Sequence, residues 1–459
     1  MTAPPKPARK SYDRSIVEGP IASAVWKLAW PTMLQNMLGG LQGIVDHVMV
    51  GHFVGYTGNA AIGVAWQIFL VVVVFITSLF TGMGVLVARF AGAHEVEHVN
   101  RTVFQALLTA LIIAVLILAP LGYFLAPILL GMVNAAPAVQ AEALPYLRIM
   151  SVFSAGMMVF FMMGGALRSA GDARTPLRLG IILTVLNIGL NVILIRGLGP
   201  IPAFGTAGAA MGTVIAGGIM AVVILYSLFS GQWVVEFRRG MSWKPDLTII
   251  RQLFKFGVPT GLQGVAMNVA GVLLLGFIGS LAQSAEAQAA FAVTYTELFS
   301  LITWTSVGLM GATAAVSGQN LGAGKPERTV AAVAVASRIG GGIAAVVGLL
   351  FVTVPRILLG FFGMDDPAVV DLGVQLLGFL SISGFFITVA LAHTGGLQGT
   401  GDTKGPFYIS IISQIVVPLG LCTVLQATKG LQPTDIWLAI LLGHITRSAL
   451  SIGRFRQGV

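Results

Sequence analysis

Long apolar runs dominate this chain, with polar positions gathered in short clusters between them. A spanning helix needs about 20 apolar residues, and about twelve stretches reach that length: 25–50, 59–88, 102–126, 140–165, 177–196, 206–230, 252–279, 285–317, 328–354, 368–396, 405–427 and 434–452. The first is the least uniform. WPTMLQNMLGGLQGIVDHVMVGH (30–52) can enter a bilayer, yet it carries Asp46. At about 100° per residue, Gln35, Gln42 and Asp46 fall within about 40° of one another on a helix. Such a stripe predicts a face turned to protein or to a wet cavity, because a bare carboxylate in hydrocarbon costs at least about 2.5–3.5 kcal/mol. The competing reading places Asp46 at a helix end, solvated and idle among headgroups. Pro31, about four turns earlier, removes a backbone hydrogen bond and offers a hinge.

Composition agrees with membrane residence. The chain is 56% hydrophobic and 9% charged, against about 25% charged in soluble domains, and its mean hydropathy is +0.90. A single cysteine, Cys422, excludes a disulfide framework and a thiolate metal cluster. The net charge of +9 is distributed as topology rather than as a nucleic-acid surface. Lys6, Arg9, Lys10 and Arg14 precede the first run; Arg89 and Arg101 follow the second; Arg168, Arg174 and Arg178 follow the fourth. Arg238, Arg239, Lys244, Arg251 and Lys255 follow the sixth, Lys325 and Arg328 the eighth, Lys404 the tenth, and Arg454 and Arg456 the twelfth. The opposite side has Arg196, Arg356 and Lys429. By the positive-inside rule both termini are cytoplasmic and the span number is even. The polar, basic start is read as a tail rather than a signal peptide.

The chain also repeats. GALRSAGDARTP (165–176) matches GGLQGTGDTKGP (395–406), and PTMLQ (31–35) matches PTGLQ (259–263). AGAHEVEHVNRTV (91–103) matches LGAGKPERTV (321–330) with a gap. Offsets of 228–230 are half the length. The expected fold is an all-α integral membrane protein: about twelve transmembrane helices in two pseudo-symmetric six-helix bundles, related by an axis along the membrane normal, with a central cavity. The expected divisions are a tail (1–20), an N-terminal bundle (21–230), a basic cytoplasmic linker (231–250) and a C-terminal bundle (251–459).

IVDHVMVGH (44–52), ALRSAGDARTP (166–176), the Asn-x-x-x-Asn of LNIGLNVILI (186–195), GTAGAAMGTVI (205–215), SGQNLGAGK (317–325) and GLQGTGDTKGP (396–406) together resemble the multidrug and toxic compound extrusion (MATE) family. That family belongs to the multidrug/oligosaccharidyl-lipid/polysaccharide exporter superfamily. The resemblance spans the chain after its tail and implies a twelve-helix, cation-coupled antiporter exporting organic, often cationic, compounds. On this resemblance Asp46 stands at the family's first-helix cation-binding acid. Asn187 and Asn191 stand at two fifth-helix positions of the same pocket, the second an aspartate in some members, and Thr213 at a sixth-helix position. The C-terminal-half site of some members, a seventh-helix Glu with a tenth-helix Asp, has no counterpart: no acid lies between Pro259 and Gly279 or between Leu372 and Gly401.

The duplication supplies an internal control. Offset by 228–230, Asp46 becomes Leu274, and Asn187 and Asn191 become Val417 and Leu421. Fold maintenance alone does not predict that difference, which favours a coupling role for Asp46, with H⁺ ahead of Na⁺ because one carboxylate with amide neighbours offers few oxygens. Thr184, Asn187 and Asn191 share about 60° of one face; interhelical hydrogen bonding explains them equally well. Thr213 shares a face with Thr206, and back-bonding to a carbonyl is the commoner fate of a membrane Thr. Glu297, whose repeat partner is Gln67, is a second intramembrane acid, either facing the seam as a substrate or auxiliary proton site or hydrogen-bonded to a neighbouring helix. Asp172 and Asp402, with Gly before and Pro after, read as turn residues. Met157, Met158, Met162 and Met163 either line an adaptable cavity or pack.

SGQNLGAGK fails as a phosphate loop, since Gln319 stands where the first Gly belongs and Pro326 follows the lysine. No ATP site, nucleophile, metal set or nucleic-acid surface is legible, and no cofactor is expected. The expected partners are small organic substrates, H⁺ or Na⁺, and lipid, in the bacterial inner membrane. The alternatives are a lipid-linked saccharide flippase, which calls for a more cationic cavity, and a channel or sensor, which calls for a ring of like polar residues.

Overall fold

The computed structural model describes residues 12–132, 136–237 and 240–458. The tail up to residue 11, and Arg238 and Arg239 of the linker, lie outside the described residues. Twelve helical segments follow the twelve apolar runs, with ends that differ from them by a few residues: α1 (Ile21–Phe53), α2 (Tyr56–Gly92), α3 (Val96–Met132), α4 (Pro137–Val152 continued by Ala155–Ser169), α5 (Arg174–Arg196), α6 (Gly205–Phe229), α7 (Leu247–Gly279), α8 (Ser284–Gly322), α9 (Pro326–Thr353), α10 (Pro367–Thr400), α11 (Lys404–Thr428) and α12 (Pro433–Gly458). Among the described residues nine helices are long and apolar enough to cross a membrane, ten counting the two pieces of α4 as one. α1 is not among them, because Gln35, Asn36, Gln42, Asp46 and His47 interrupt it.

The fourth run was expected to be continuous; α4 instead bends by 55° at Phe153–Ser154. Ser154 Oγ donates to the Ser151 carbonyl at 3.0 Å, and the bend brings Gly156 against the α6 backbone, where a Cβ would stand 2.7 Å from Gly218 N. Only a glycine pair permits that approach. Wide π-turns interrupt α3 at Ile113–Leu118, α8 at Ala292–Leu298 and α11 at Ile412–Val416. Pro31 sits inside a helix that runs unbroken from Ile21 to Phe53.

The repeat is visible in backbone detail. Gly171 (φ 100°) and Gly401 (φ 94°) end α4 and α10 in the left-handed region, which an L side chain rarely adopts. The next residues, Asp172 and Asp402, each accept from a backbone N–H three positions on, Thr175 N at 3.0 Å and Gly405 N at 2.8 Å. His94 (φ 61°) and Gly324 (φ 72°) form another such pair, 230 residues apart.

The halves meet at the end of the molecule that carries both described termini, here the terminal face. α1 packs on α8, and α2 on α7 and α8. A Cβ on Gly82 would stand 2.0 Å from the Leu253 carbonyl, and one on Gly257 1.9 Å from that of Ser78. Farther along the same helices, Gly39 and Gly43 of α1 and Gly264 and Gly271 of α7 face open space. The tight contact reaches as far as Gly40 of α1, where a Cβ would stand 2.5 Å from the Trp304 ring of α8. The segment before α1 is clasped by the opposite half: Arg328 Nη2 donates to the carbonyls of Ile16 (3.2 Å) and Gly19 (2.7 Å), and Lys325 Nζ to that of Val17 (3.0 Å).

The linker is docked rather than loose. Gln105 of α3 donates to the Lys244 carbonyl at 2.8 Å and accepts from Asp246 N at 3.0 Å. Asp246 caps α7 by accepting from Thr248 N and Ile249 N, and pairs with Arg101 at 2.5 Å.

Candidate functional site

Asp46 lies half-buried in the C-terminal part of α1, opposite the face of α5 that carries two amides. Asn187 and Asn191 are one turn apart and fully buried. Asn191 Nδ2 donates to Asp46 Oδ1 at 2.8 Å and lies 3.3 Å from Asn187 Oδ1. Asn187 Nδ2 donates in turn to Thr213 Oγ1 of α6 at 3.1 Å, and that hydroxyl returns to the Ala209 carbonyl at 3.0 Å. The four residues expected to act together thus form one polar chain across three helices.

The close fit of α6 makes this possible. A Cβ on Gly212 would stand 2.0 Å from Asn191 Oδ1. That oxygen is buried and has no hydrogen-bond partner, although an unsatisfied buried acceptor costs about 1–3 kcal/mol. Among the described residues no lysine or arginine forms an ion pair with Asp46. The pocket therefore holds one negative charge without a fixed counter-charge, beside one unsatisfied oxygen.

The rest of the α1 stripe serves separate contacts. Gln42 Oε1 accepts from Thr184 of α5 at 3.1 Å, and Gln35 Oε1 accepts from Arg168 of α4 at 2.9 Å. Thr206 is buried without a partner. Glu297 lies on the π-turn of α8, half-buried, with its backbone carbonyl accepting from Ser300 Oγ. Gln67 is on α2, and its side chain lies outside the described residues. Met158, Met162 and Met163 are wholly buried in the N-terminal half and pack rather than line a cavity.

Several neighbours escaped the sequence reading. His47 hydrogen-bonds Asn59 of α2 through Nδ1, beside Asp46. Tyr146 of α4 is buried within electrostatic reach of Asp46. Arg168 was assigned to the loop after the fourth run; it lies inside α4, over the Phe80 ring at 5.8 Å. Arg447 is buried within α12. For Arg447 the available signal was an arginine inside an apolar run, 434–452.

Residues 31–193 and 259–424 match the MatE family. Over 436 residues the chain is 26% identical to the Thermotoga maritima protein named probable multidrug resistance protein NorM, covering 94% of this chain and 91% of that one. It is 25% identical to the multidrug resistance protein MdtK of Pectobacterium atrosepticum, covering 94% of each. Its fold matches a solved structure described as an outward-facing conformation of a multidrug resistance MATE family transporter of the MOP superfamily, with TM-score 0.90, 21% identity, and coverage of 99% and 98%.

Proposed function

Since the chain belongs to the MATE family of multi-pass membrane transporters, we propose that it is a cation-coupled antiporter exporting organic, cationic or amphipathic compounds across the bacterial cytoplasmic membrane. H⁺ is the favoured coupling ion and Na⁺ the alternative. The observation that carries this reading is the contact of Asp46 with Asn191, a lone carboxylate in a pocket with no fixed cation. A dehydrated charge of this kind draws a mobile counter-ion. A proton on Asp46 would turn the carboxyl into a donor, and the unsatisfied Asn191 Oδ1 is the nearby acceptor. A sodium ion would take the same oxygens.

Occupation changes which packing of α1 against α5 is preferred, and a ligand shifts a conformational equilibrium only by such differential binding. Pro31, where α1 lacks one backbone bond, is the hinge about which α1 bends to shrink the cavity and expel cargo. The bundles 21–230 and 251–459 rock about the seam. With both termini cytoplasmic, the tight terminal face closes the cytoplasmic side. Glu297, with Gln67, supplies an auxiliary acid for a cationic group.

The test uses purified protein in liposomes under an imposed pH gradient, with Na⁺ absent and then present. Asp46→Asn is expected to reduce gradient-driven dye export to that of protein-free liposomes while the protein stays monodisperse. Undiminished export by this variant ends the mechanism. Export by the unaltered chain that needs Na⁺ replaces the proton with sodium.

A further inference from the structure

At about 100° per residue, α7 has three faces. Leu253, Gly257 and Gly261 meet α2 across the seam, where a Cβ on Gly261 would stand 2.1 Å from Ser78 Oγ. About 120° round the helix, Gln263 Nε2 donates to Ser410 of α11 at 2.7 Å. The third face carries Arg251, Lys255, Val258, Leu262, Val265 and Val269 within about 80° of arc, and all six are exposed. Its two cations come first, and no polar residue interrupts the apolar stripe that follows. Among the described residues Lys244, Arg251 and Lys255 make no ion pair; Lys255 Nζ lies 5.7 Å from the centre of the Phe256 ring. A hollow of about 480 Å³ opens at the cations, lined by Leu247, Thr248, Arg251, Gln252 and Lys255.

The dimensions of this face match one leaflet of a bilayer. From Val258 to Val269 the helix rises about 17 Å, against about 15 Å for half of a hydrocarbon core about 30 Å thick. Arg251 and Lys255 precede that stretch, at headgroup level. Trp243 stands at the same end, exposed and stacked on exposed Phe229 at 5.9 Å, and tryptophan favours the membrane–water interface. Cations without a carboxylate draw an anion. A phosphate offers a guanidinium two parallel hydrogen bonds and an ammonium a point charge. A soluble anion would use the hollow alone, whereas an acyl chain also covers the stripe that continues from it.

We propose that Arg251 and Lys255 bind the phosphate of an anionic phospholipid whose acyl chain lies along Val258, Leu262, Val265 and Val269. Arg251 stands just past Asp246, which joins the linker to Arg101 of α3. An occupied site therefore ties the junction of the two halves to the bilayer surface. Neither the cargo nor the coupling ion enters, so a failure here leaves the antiporter reading untouched.

A bimane label on Val258→Cys, in the Cys422→Ser background, reads the neighbouring lipid by bromine quenching. The labelled protein is reconstituted in mixtures of phosphatidylcholine and phosphatidylglycerol, with brominated chains on one lipid or the other. Phosphatidylglycerol is expected to be preferred about tenfold at this position, and about twofold or less in Arg251→Gln with Lys255→Gln. Arg174→Gln with Arg178→Gln removes the same charge from exposed positions of α5 at the same terminal face, and should leave the preference in place. Equal quenching by the two lipids in the labelled parent overturns the proposal, whether or not any variant folds. So does a preference that survives in a folded Arg251→Gln, Lys255→Gln protein. A preference that falls equally in the α5 variant reduces it to general surface charge and overturns it too. Inorganic phosphate at constant ionic strength separates the sources: a preference unchanged assigns the site to lipid, and a preference abolished assigns it to a soluble anion and overturns the lipid.

Discussion

Arg89 and Gln319 occupy equivalent positions in the two halves, 230 residues apart, and each reaches across the seam to a backbone carbonyl of the other half. Arg89 Nη2 donates to Thr400 O at 3.0 Å, and Gln319 Nε2 to Ser169 O at 2.7 Å. Glycines repeat the exchange: a Cβ on Gly92 would stand 1.9 Å from the Gln319 carbonyl, and one on Gly322 2.0 Å from that of Arg89. The terminal face is thus closed by one device used twice.

Removing both hydrogen bonds in Arg89→Met with Gln319→Leu is expected to cost the closed form about 2 kcal/mol, an approximately 30-fold shift toward opening. Spin labels at exposed Glu97 and Glu327, in a Cys422→Ser background, report the separation of the halves. A distance distribution identical to that of the labelled parent would show that these bonds do not hold the seam.

Gly92→Ala and Gly322→Ala place a methyl against an immovable carbonyl rather than a flexible side chain. Each is expected to destabilise the closed form by about 1–3 kcal/mol. Chemical labelling of a cysteine introduced at Ser78, buried in the seam against Gly257 and Gly261, in the Cys422→Ser background, should accelerate in both variants. Unchanged labelling would mean that the helices accommodate the methyl elsewhere.

Gly212→Ala should push α6 off Asn191 Oδ1 and weaken the Asp46 pocket. Because the clash is with that one side chain, Asn191→Ala should relieve it, so the double variant recovers part of the thermal stability lost in Gly212→Ala, by about 1 kcal/mol of coupling. Strict additivity of the two losses contradicts the contact.

The Asp13 carboxyl, paired with Lys27 ahead of α1, is pushed up by its partial burial. The hydrogen bonds from Lys27 and Ser15 outweigh that and hold it below its ordinary 3.8. A lowered folded value gives stability that is present above the unfolded value and lost only as pH falls through the folded one. Between about pH 5 and 8 the pair stays charged, so the pH profile of export in Asp13→Asn should keep the parent's midpoint. A displaced midpoint would move the pH sensor from Asp46 to this pair.

A stripe of helical period on α1, and a duplication that preserves the scaffold without the acid, marked out Asp46; that the α5 amides are its neighbours came from the resemblance to the MATE family. Gln35 looked like part of the same stripe, yet its partner is Arg168, since shared azimuth fixes a direction and not a neighbour. Arg447 was passed over because averaging over a span dilutes one cation among many apolar residues, and Arg168 was placed in a loop because the apolar run stops three residues short of it while the helix continues to Ser169. The bend at Phe153 left no mark in the pattern either. It goes with the approach of Gly156 to the α6 backbone, a tertiary fit.

The docked linker locates the pivot of any rocking motion. Lys244 and Asp246 are tied to Gln105 and Arg101, so the connecting segment travels with the first six helices. Rotation between the lobes must then be absorbed after Asp246, in the opening turn of α7, where a carboxylate that grips both lobes acts as the axle pin.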